Sequence, residues 1–103
     1  GVGSTNTLDV RSSFSNFDVS SARTSAPGEA VVTVFPGNHY AGVWGTSFST
    51  ALVSGGVAIM VGARPSAKVS DIADSLDHGF KIAQAMGDAR LDLVRSIQYL
   101  KKN

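Results

Sequence analysis

The chain has 103 residues, 43% of them hydrophobic and 17% charged, a composition typical of one globular domain or part of one. Its formal net charge of +1 and the even spread of Lys and Arg predict neither a nucleic acid nor a membrane as partner. Cysteine is absent, which excludes disulfides, thiolate metal sites and a cysteine nucleophile. Residues 1–6 show neither a charged n-region nor an apolar h-region, so we expect no signal peptide in this sequence.

The first part of the chain predicts loops and short strands. Residues 1–28 are rich in serine and have only scattered apolar residues, as connecting loops with short strands do. The turn dipeptides Pro27-Gly28 and Pro36-Gly37 then bracket the β-branched run 30–35, which predicts a buried strand. We expect residues 40–44 to form a short partner strand.

From Thr46 the pattern becomes helical. Residues 46–62 are apolar on nearly every side and contain many small residues, which predicts a helix about 25 Å long that is buried all round. The pair Gly55-Gly56 would destabilise a helix by about 2 kcal/mol relative to alanine, so it indicates close contact with a sheet. Because serine and glycine interrupt the apolar run, which also falls short of ~20 residues, it does not predict a membrane span.

Two amphipathic outer helices follow Pro65. The first is expected to be capped by Ser66 or Ser70 and has apolar residues at helical spacing, namely Val69, Ile72, Ala73, Leu76 and Phe80. The second follows breaks at Gly79 and Gly87 and has its apolar positions at Leu93, Val94, Ile97 and Leu100. It ends in two lysines, which suit a helix C-terminus. We interpret Met60 and Met86 as core residues. We interpret four cationic side chains as a solvent-exposed edge: Arg90, Arg95, Lys101 and Lys102.

Ser47 lies where a loop turns into the first long helix. A hydroxyl at a helix N-terminus sits among unpaired backbone N–H groups, a setting that favours the negative charge developed in acyl transfer. Gly45 would let a substrate chain approach closely. The competing interpretation is that Thr46 or Ser47 only caps the helix, a routine role for these residues. The residue two after Ser47 is Ser49, which excludes the G-x-S-x-G elbow of α/β-hydrolases.

Five motifs together resemble the C-terminal part of a subtilisin-like serine peptidase domain. The segment 45–55, GTSFSTALVSG, resembles that family's nucleophile block, G-T-S-x-A/S-x-P-H-V-A-G. SFSNF at 13–17 resembles the family's S-x-F-S-N-F/Y-G turn, and SAPG at 25–28 resembles its A-P-G turn. VFPGNHY at 34–40 resembles its S-T-x-P-G-x-x-Y hairpin, and GDARLDLV at 87–94 resembles its closing G-x-G-x-I/L-D/N-V strand. Each motif is weak alone, but their order and spacing over about 90 residues make the match fairly specific.

The resemblance implies an α/β fold, the C-terminal portion of a doubly wound parallel-sheet domain. That portion would contain a β-hairpin, a buried central helix that starts at the nucleophile, and two outer amphipathic helices. Ser47 would be the nucleophile that forms an acyl-enzyme, and its own backbone N–H would be one oxyanion donor. Thr46 would support that pocket, and Gly45 would lie beside the bound substrate. Residues 1–103 would be a partial domain, because the family's triad order Asp, His, Ser places the other two members earlier.

Several residues receive non-catalytic interpretations. Ala51 and Leu52 replace the family's usual proline and histidine, neither of which belongs to the triad. We interpret His39 and His78 as exposed histidines and Trp44 as a packing residue. We interpret five aspartates as loop and solvated helix-face carboxylates: Asp9, Asp18, Asp71, Asp74 and Asp77. No zinc-ligand spacing occurs. The family often binds calcium, but no calcium loop can be assigned here, so no cofactor is predicted.

The predicted function is therefore that of the nucleophile-bearing part of a serine endopeptidase. Its expected partners are a peptide or protein substrate and the remainder of the same domain, and the resemblance alone implies secretion. The alternative is a degenerate, non-catalytic segment that serves as a structural or binding unit. Without Asp and His partners, the 103 residues alone are expected to be inactive. We also expect them to be marginally stable or self-associating, because the central helix would be left partly uncovered.

Overall fold

The structure, a computed structural model, describes residues 1–18, 20 and 22–103. In these residues, four strands precede the first two helices, and two short strands come before the last helix. In order, they are β1 (Val2–Thr5), β2 (Thr24–Pro27), β3 (Val31–Phe35), β4 (His39–Val43), α1 (Thr46–Ala63), α2 (Val69–Leu76), β5 (Phe80–Lys81), a 3-10 turn (Gln84–Met86), β6 (Ala89–Arg90) and α3 (Leu93–Lys102).

The main sheet has the strand order β1-β2-β6-β5. Strands β1, β2 and β6 run parallel, whereas β5 pairs antiparallel with β6 at the edge. Buried hydroxyl side chains line β2, and they are paired: Ser25 Oγ donates to the Met86 carbonyl at 2.6 Å and Thr24 Oγ1 to that of Ala89 at 3.2 Å. These strands are buried yet polar, which explains why hydrophobic periodicity in residues 1–28 predicts so little.

Helix α1 lies across β1 and β2 and also contacts α3. Its buried side presents Ser49, Val53, Gly56 and Met60 to a core that includes Leu100. The other face, with Leu52 and Ile59, is exposed. The prediction of a helix buried all round is therefore wrong for the described chain, which covers α1 on one side only. The expectation that the segment alone leaves this helix partly uncovered is confirmed.

One further expectation about α1, the close contact of the pair Gly55-Gly56, needs correction. A Cβ added to Gly56 would lie 3.3 Å from Leu91 Cδ1, which confirms close packing there, but Gly55 faces open space. The helix has 18 residues and a mean hydropathy of 1.4, so by length and composition alone it could cross a membrane. The core helix of a globular domain can have the same length and composition.

Strands β3 and β4 form a separate antiparallel hairpin in which Val31 pairs with Val43. The prediction of two paired strands is confirmed, but the prediction that the first is buried is wrong. Val32 and Val34 are 73% and 77% exposed because no described layer packs on this face of the hairpin. Trp44, which follows β4, is 61% exposed, so the packing interpretation is also wrong within the described chain.

Helices α2 and α3 pack against each other and complete the core. Helix α2 begins after Lys68, whose N–H donates to the Asp71 carboxylate at 2.8 Å, so the expected caps Ser66 and Ser70 are wrong. It ends at Leu76, and Phe80 lies in β5 instead.

Helix α3 confirms the predicted last helix and is capped by Asp92, which accepts from the Arg95 N–H at 3.1 Å. Leu100 is buried, whereas Val94 is exposed. Met60 and Met86 are buried, as predicted. Arg90 is not a solvated edge residue, because its half-buried side chain forms an ion pair with Asp9.

Candidate active site

Ser47 is the second residue of α1, and its side chain is exposed. The helix begins after Gly45, whose φ of 148° lies in a region that side chains disfavour. No side chain caps this helix end, so the interpretation of Thr46 or Ser47 as a cap is wrong. The Ser47 hydroxyl makes no hydrogen bond to another described residue and remains available for chemistry.

The first turn of α1 also has free backbone donors. The N–H groups of Phe48 and Ser49 donate to the Gly45 carbonyl at 3.1 and 3.5 Å. Those of Thr46 and Ser47 have no acceptor among the residues that the structure describes, as is usual at a helix N-terminus. The nucleophile candidate therefore carries a hydroxyl and an unpaired N–H on the same exposed turn, and a backbone N–H of this kind can donate to an oxyanion.

The turn is fixed to the carboxyl ends of β1 and β2. The Gly45 N–H donates to the Gly28 carbonyl at 2.8 Å, and the Gly28 N–H donates to the Thr5 carbonyl at 3.0 Å. The Ser49 hydroxyl donates to the Pro27 carbonyl at 3.1 Å. Ser47 thus lies outside the carboxyl ends of parallel strands, where ligands bind in open α/β sheets.

Gly28 makes this close approach possible. A Cβ at this position would lie closer than 3 Å to Ser4 Oγ and Ser49 Oγ, and 2.9 Å from the Gly45 carbonyl oxygen. Any side chain here would push the start of α1 away from the sheet. The A-P-G turn is recognisable in the sequence, but its contact with the start of α1 beneath the nucleophile candidate is not.

Neither histidine of the chain hydrogen-bonds Ser47. His39 is exposed at the start of β4. The His78 ring stacks on Tyr99 with 3.6 Å between ring centroids, and its Nδ1 lies 2.8 Å from the Asp74 carbonyl oxygen. His78 is thus engaged in the contact between α2 and α3.

The aspartates have structural or surface contacts. Asp74 and Asp77 form ion pairs with exposed Arg23, and Asp9 forms one with Arg90. The Asp71 carboxylate, in the first turn of α2, accepts a hydrogen bond from the Lys68 N–H. Asp18 accepts hydrogen bonds from the Ser20 N–H and hydroxyl. Within residues 1–18, 20 and 22–103, no three His, Asp or Glu side chains gather as metal ligands would.

Two cavities of the described chain have linings that do not include Ser47. One of about 310 Å³ is lined by residues that include Arg23, Asp77 and Lys81, and a smaller one lies between α2 and α3. The nucleophile candidate is itself exposed, so the described residues leave the candidate site open to solvent.

These features define a class: an α/β protein with an exposed serine at the start of a helix that crosses a parallel sheet. The sequence model of the subtilase family, peptidase family S8, matches residues 1–92. The chain belongs to the subtilase family. The resemblance drawn from the five motifs and the predicted fold are both confirmed.

Solved structures of several proteases and toxin subunits have a fold similar to that of this chain. The self-cleaved protease domain of PatA is 25% identical, with a TM-score of 0.84 over 99% of this chain and 41% of that one. A chain of the subtilase cytotoxin SubAB assembly is 26% identical, with a TM-score of 0.75 over 85% of this chain and 29% of that one. The A-subunit of the AB5 toxin from E. coli, 21% identical, shares the fold with a TM-score of 0.80 over 96% of this chain and 37% of that one. The chain spans less than half the length of these relatives, and no curated protein matches it by sequence.

Proposed function

We propose that Ser47 is the nucleophile of a serine endopeptidase that hydrolyses peptide bonds through an acyl-enzyme. The observation that carries this proposal is the exposed Ser47 hydroxyl beside its own unpaired N–H at the start of α1. Family membership supports peptidase chemistry at this position.

In the proposed reaction, Ser47 Oγ attacks the substrate carbonyl while a histidine base takes the hydroxyl proton. The Ser47 N–H, at the positive end of the α1 dipole, donates to the oxyanion that forms. Collapse of this intermediate releases the amine, which takes the proton from the base. Water then attacks the ester by the reverse path and frees Ser47. Thr46 supports the oxyanion pocket, and Gly45 leaves room for the substrate backbone.

The base and its aspartate partner come, in this proposal, from another part of the same domain. His78 stacks on Tyr99 of α3 and bonds the Asp74 carbonyl, and His39 forms no hydrogen bond with Ser47. The same remainder of the domain would cover the exposed apolar face of α1, where Leu52 and Ile59 lie. This accounts for an apolar helix without a membrane. Secretion and a peptide or protein substrate are proposed on family membership alone, and no metal is assigned to these residues.

The test is fluorophosphonate labelling of the longest natural polypeptide that contains this segment, followed by peptide mapping. Ser70 provides a matched control, because it is likewise the exposed second residue of a helix. We expect Ser47 to be labelled, Ser70 to remain unlabelled and Ser47→Ala to abolish labelling. Equal labelling of both serines would mean non-specific reaction and refute the proposal.

A second candidate function is a non-catalytic structural or binding unit. The replacement residues Ala51 and Leu52 in the nucleophile block favour it. A folded full-length protein that takes no label at Ser47 would support this alternative. The 103 residues alone should turn over no casein, since they lack a base for Ser47.

A further inference from the structure

The β3–β4 hairpin has one half-buried side and one exposed side. Side chains alternate across a strand, and the exposure of both strands follows this alternation up to the last pair before the turn. Two cross-strand pairs, Val32 with Gly42 and Val34 with Tyr40, form the exposed side, which we call the hairpin face. Val32, Val34 and Tyr40 are 73%, 77% and 77% exposed. In the described chain, this apolar surface is therefore open to solvent.

The hairpin face has a gap at Gly42. A Cβ added to Gly42 would meet no described atom within 4 Å. Val32 lies across the hairpin from this position, Tyr40 lies two residues before it, and exposed Trp44 lies two residues after it. Three large side chains thus flank a position that has no side chain of its own. An apolar side chain of a bound polypeptide could fill this gap.

The hairpin face is continuous with the candidate active site. Strand β4 ends at Val43, four residues before Ser47, and exposed Trp44 lies between them. Since a strand advances about 3.4 Å per residue, Tyr40 lies about 10 Å along β4 from Val43. The hairpin face therefore extends outward from the site and is not part of its reacting centre.

The composition of the hairpin favours an uncharged, apolar occupant. Residues 30–44 contain no Asp, Glu, Lys or Arg. A surface that binds an anionic membrane usually carries basic residues, and these are absent from the hairpin sequence. Apolar side chains of a polypeptide need no countercharge, so they match this surface.

The hairpin face is too small for a stable dimer and is not required by the family's hairpin motif. Interfaces between stable partners use about 20–30 residues on each side, whereas the hairpin face has two residue pairs. The motif S-T-x-P-G-x-x-Y has threonine where this chain has Val34. A polar residue is thus compatible with the family's fold at this position, and the apolar side chain calls for another explanation.

We infer that the hairpin face is an exosite, a surface outside the reacting centre that binds an apolar segment of a polypeptide substrate. This inference rests on the proposed function of Ser47. It also narrows the substrate class to polypeptides that are long enough to occupy the start of α1 and the hairpin face together. A short substrate or a small reactive probe would use Ser47 without contact with the exosite.

The experiment compares two double variants of the full-length protein with wild type. Val32→Thr with Val34→Thr makes the hairpin face polar while it keeps β-branched side chains of similar size. Val69→Thr with Val94→Thr is the matched control, because it makes the same change at exposed valines of α2 and α3. Each protein is assayed for casein hydrolysis and for labelling by a fluorophosphonate that has no peptide portion. Thermal melting and gel filtration report the stability and the oligomeric state.

We expect the hairpin variant to raise the KM for casein about threefold to tenfold with kcat unchanged, because the lost contacts stabilise ground state and transition state equally. Its labelling rate should equal that of wild type, and the control variant should match wild type in both assays. An unchanged KM for the hairpin variant, or an equal rise in the control, would overturn the exosite.

The other measurements identify other occupants. A lower Tm with an unchanged KM would mean that the rest of the domain covers the hairpin face, and it would overturn the exosite. A wild-type dimer that the hairpin variant dissociates would assign the face to a second copy and overturn it as well. A wild-type protein that neither takes the label nor cleaves casein would refute the proposed function of Ser47, and the exosite with it.

Discussion

Replacement of Gly28 by alanine tests whether the start of α1 depends on its close contact with the sheet. The added Cβ would lie closer than 3 Å to three atoms, Ser4 Oγ, Ser49 Oγ and the Gly45 carbonyl oxygen. Both serines are fully buried, and Ser49 already donates to the Pro27 carbonyl. The clash cannot be relieved without loss of a hydrogen bond or movement of the backbone.

The expected destabilisation follows from these contacts. Overpacking a closed site costs about 1–3 kcal/mol. Rotation of Ser49 away from the Pro27 carbonyl removes a further buried hydrogen bond, worth about 1 kcal/mol. We therefore expect Gly28→Ala to lower the free energy of unfolding by about 2–4 kcal/mol. In a domain of 150–250 residues this corresponds to a fall in Tm of roughly 5–15 °C.

The assay is thermal or denaturant unfolding of the full-length protein, combined in a double-mutant cycle with Ser49→Ala. Removal of the Ser49 hydroxyl takes away one of the three clashing atoms, so the double variant should recover about 1 kcal/mol relative to the sum of the single effects. Ser75→Ala, remote from Gly28, should add to Gly28→Ala without coupling.

Two results would refute this reasoning. A Gly28→Ala protein with wild-type stability would mean that the start of α1 does not lie as close to β2 as the geometry requires. Strict additivity of Gly28→Ala and Ser49→Ala would mean that the Ser49 hydroxyl does not occupy the space beside Gly28.

Three further substitutions test the fold by denaturant unfolding. Met60→Ala should cost about 2–5 kcal/mol because it empties a fully buried site at the centre of the core, and a loss below 1 kcal/mol would contradict that burial. Asp92→Ala should cost about 1 kcal/mol through loss of the cap on the Arg95 N–H, with Asp92→Asn close to wild type. Arg23→Ala should change stability by less than about 1 kcal/mol, since its pair with Asp77 is exposed, and any effect should vanish at high salt.

The sequence predicted the helices well and the burial of their surroundings poorly. Hydrophobic spacing and breakers located all three helices, because these signals are local. The cap of α2 escaped prediction because the chain uses the carboxylate of Asp71 to accept from Lys68, not a serine at the first position. The hairpin was interpreted as buried because its composition is that of a buried strand, whereas burial depends on which layer faces it.

In the candidate site, too, local features could be predicted from the sequence and long-range contacts could not. Ser47 could be singled out because the motif around it is contiguous in sequence. The hydrogen bond between Ser49 and Pro27, which holds the start of α1 to β2, could not be predicted. These residues are 22 positions apart, and neither periodicity nor composition indicates that they are in contact. The ion pair between Asp9 and Arg90 joins positions even further apart. Pairings of this kind arise only when strands and helices assemble.

The parallel pairing of β2 with β6 has a consequence for synthesis of the protein on the ribosome. Thr24 and its hydrogen-bond partner Ala89 are 65 positions apart. At about 5–20 residues per second, β2 would wait roughly 3–13 s for the strand that lies beside it. During that interval the hairpin, α1 and α2 all emerge before the sheet can close, whereas β1 has already been made. An unpaired strand edge of this kind is a template for intermolecular association, so the nascent chain is most vulnerable to aggregation while β6 is still being made.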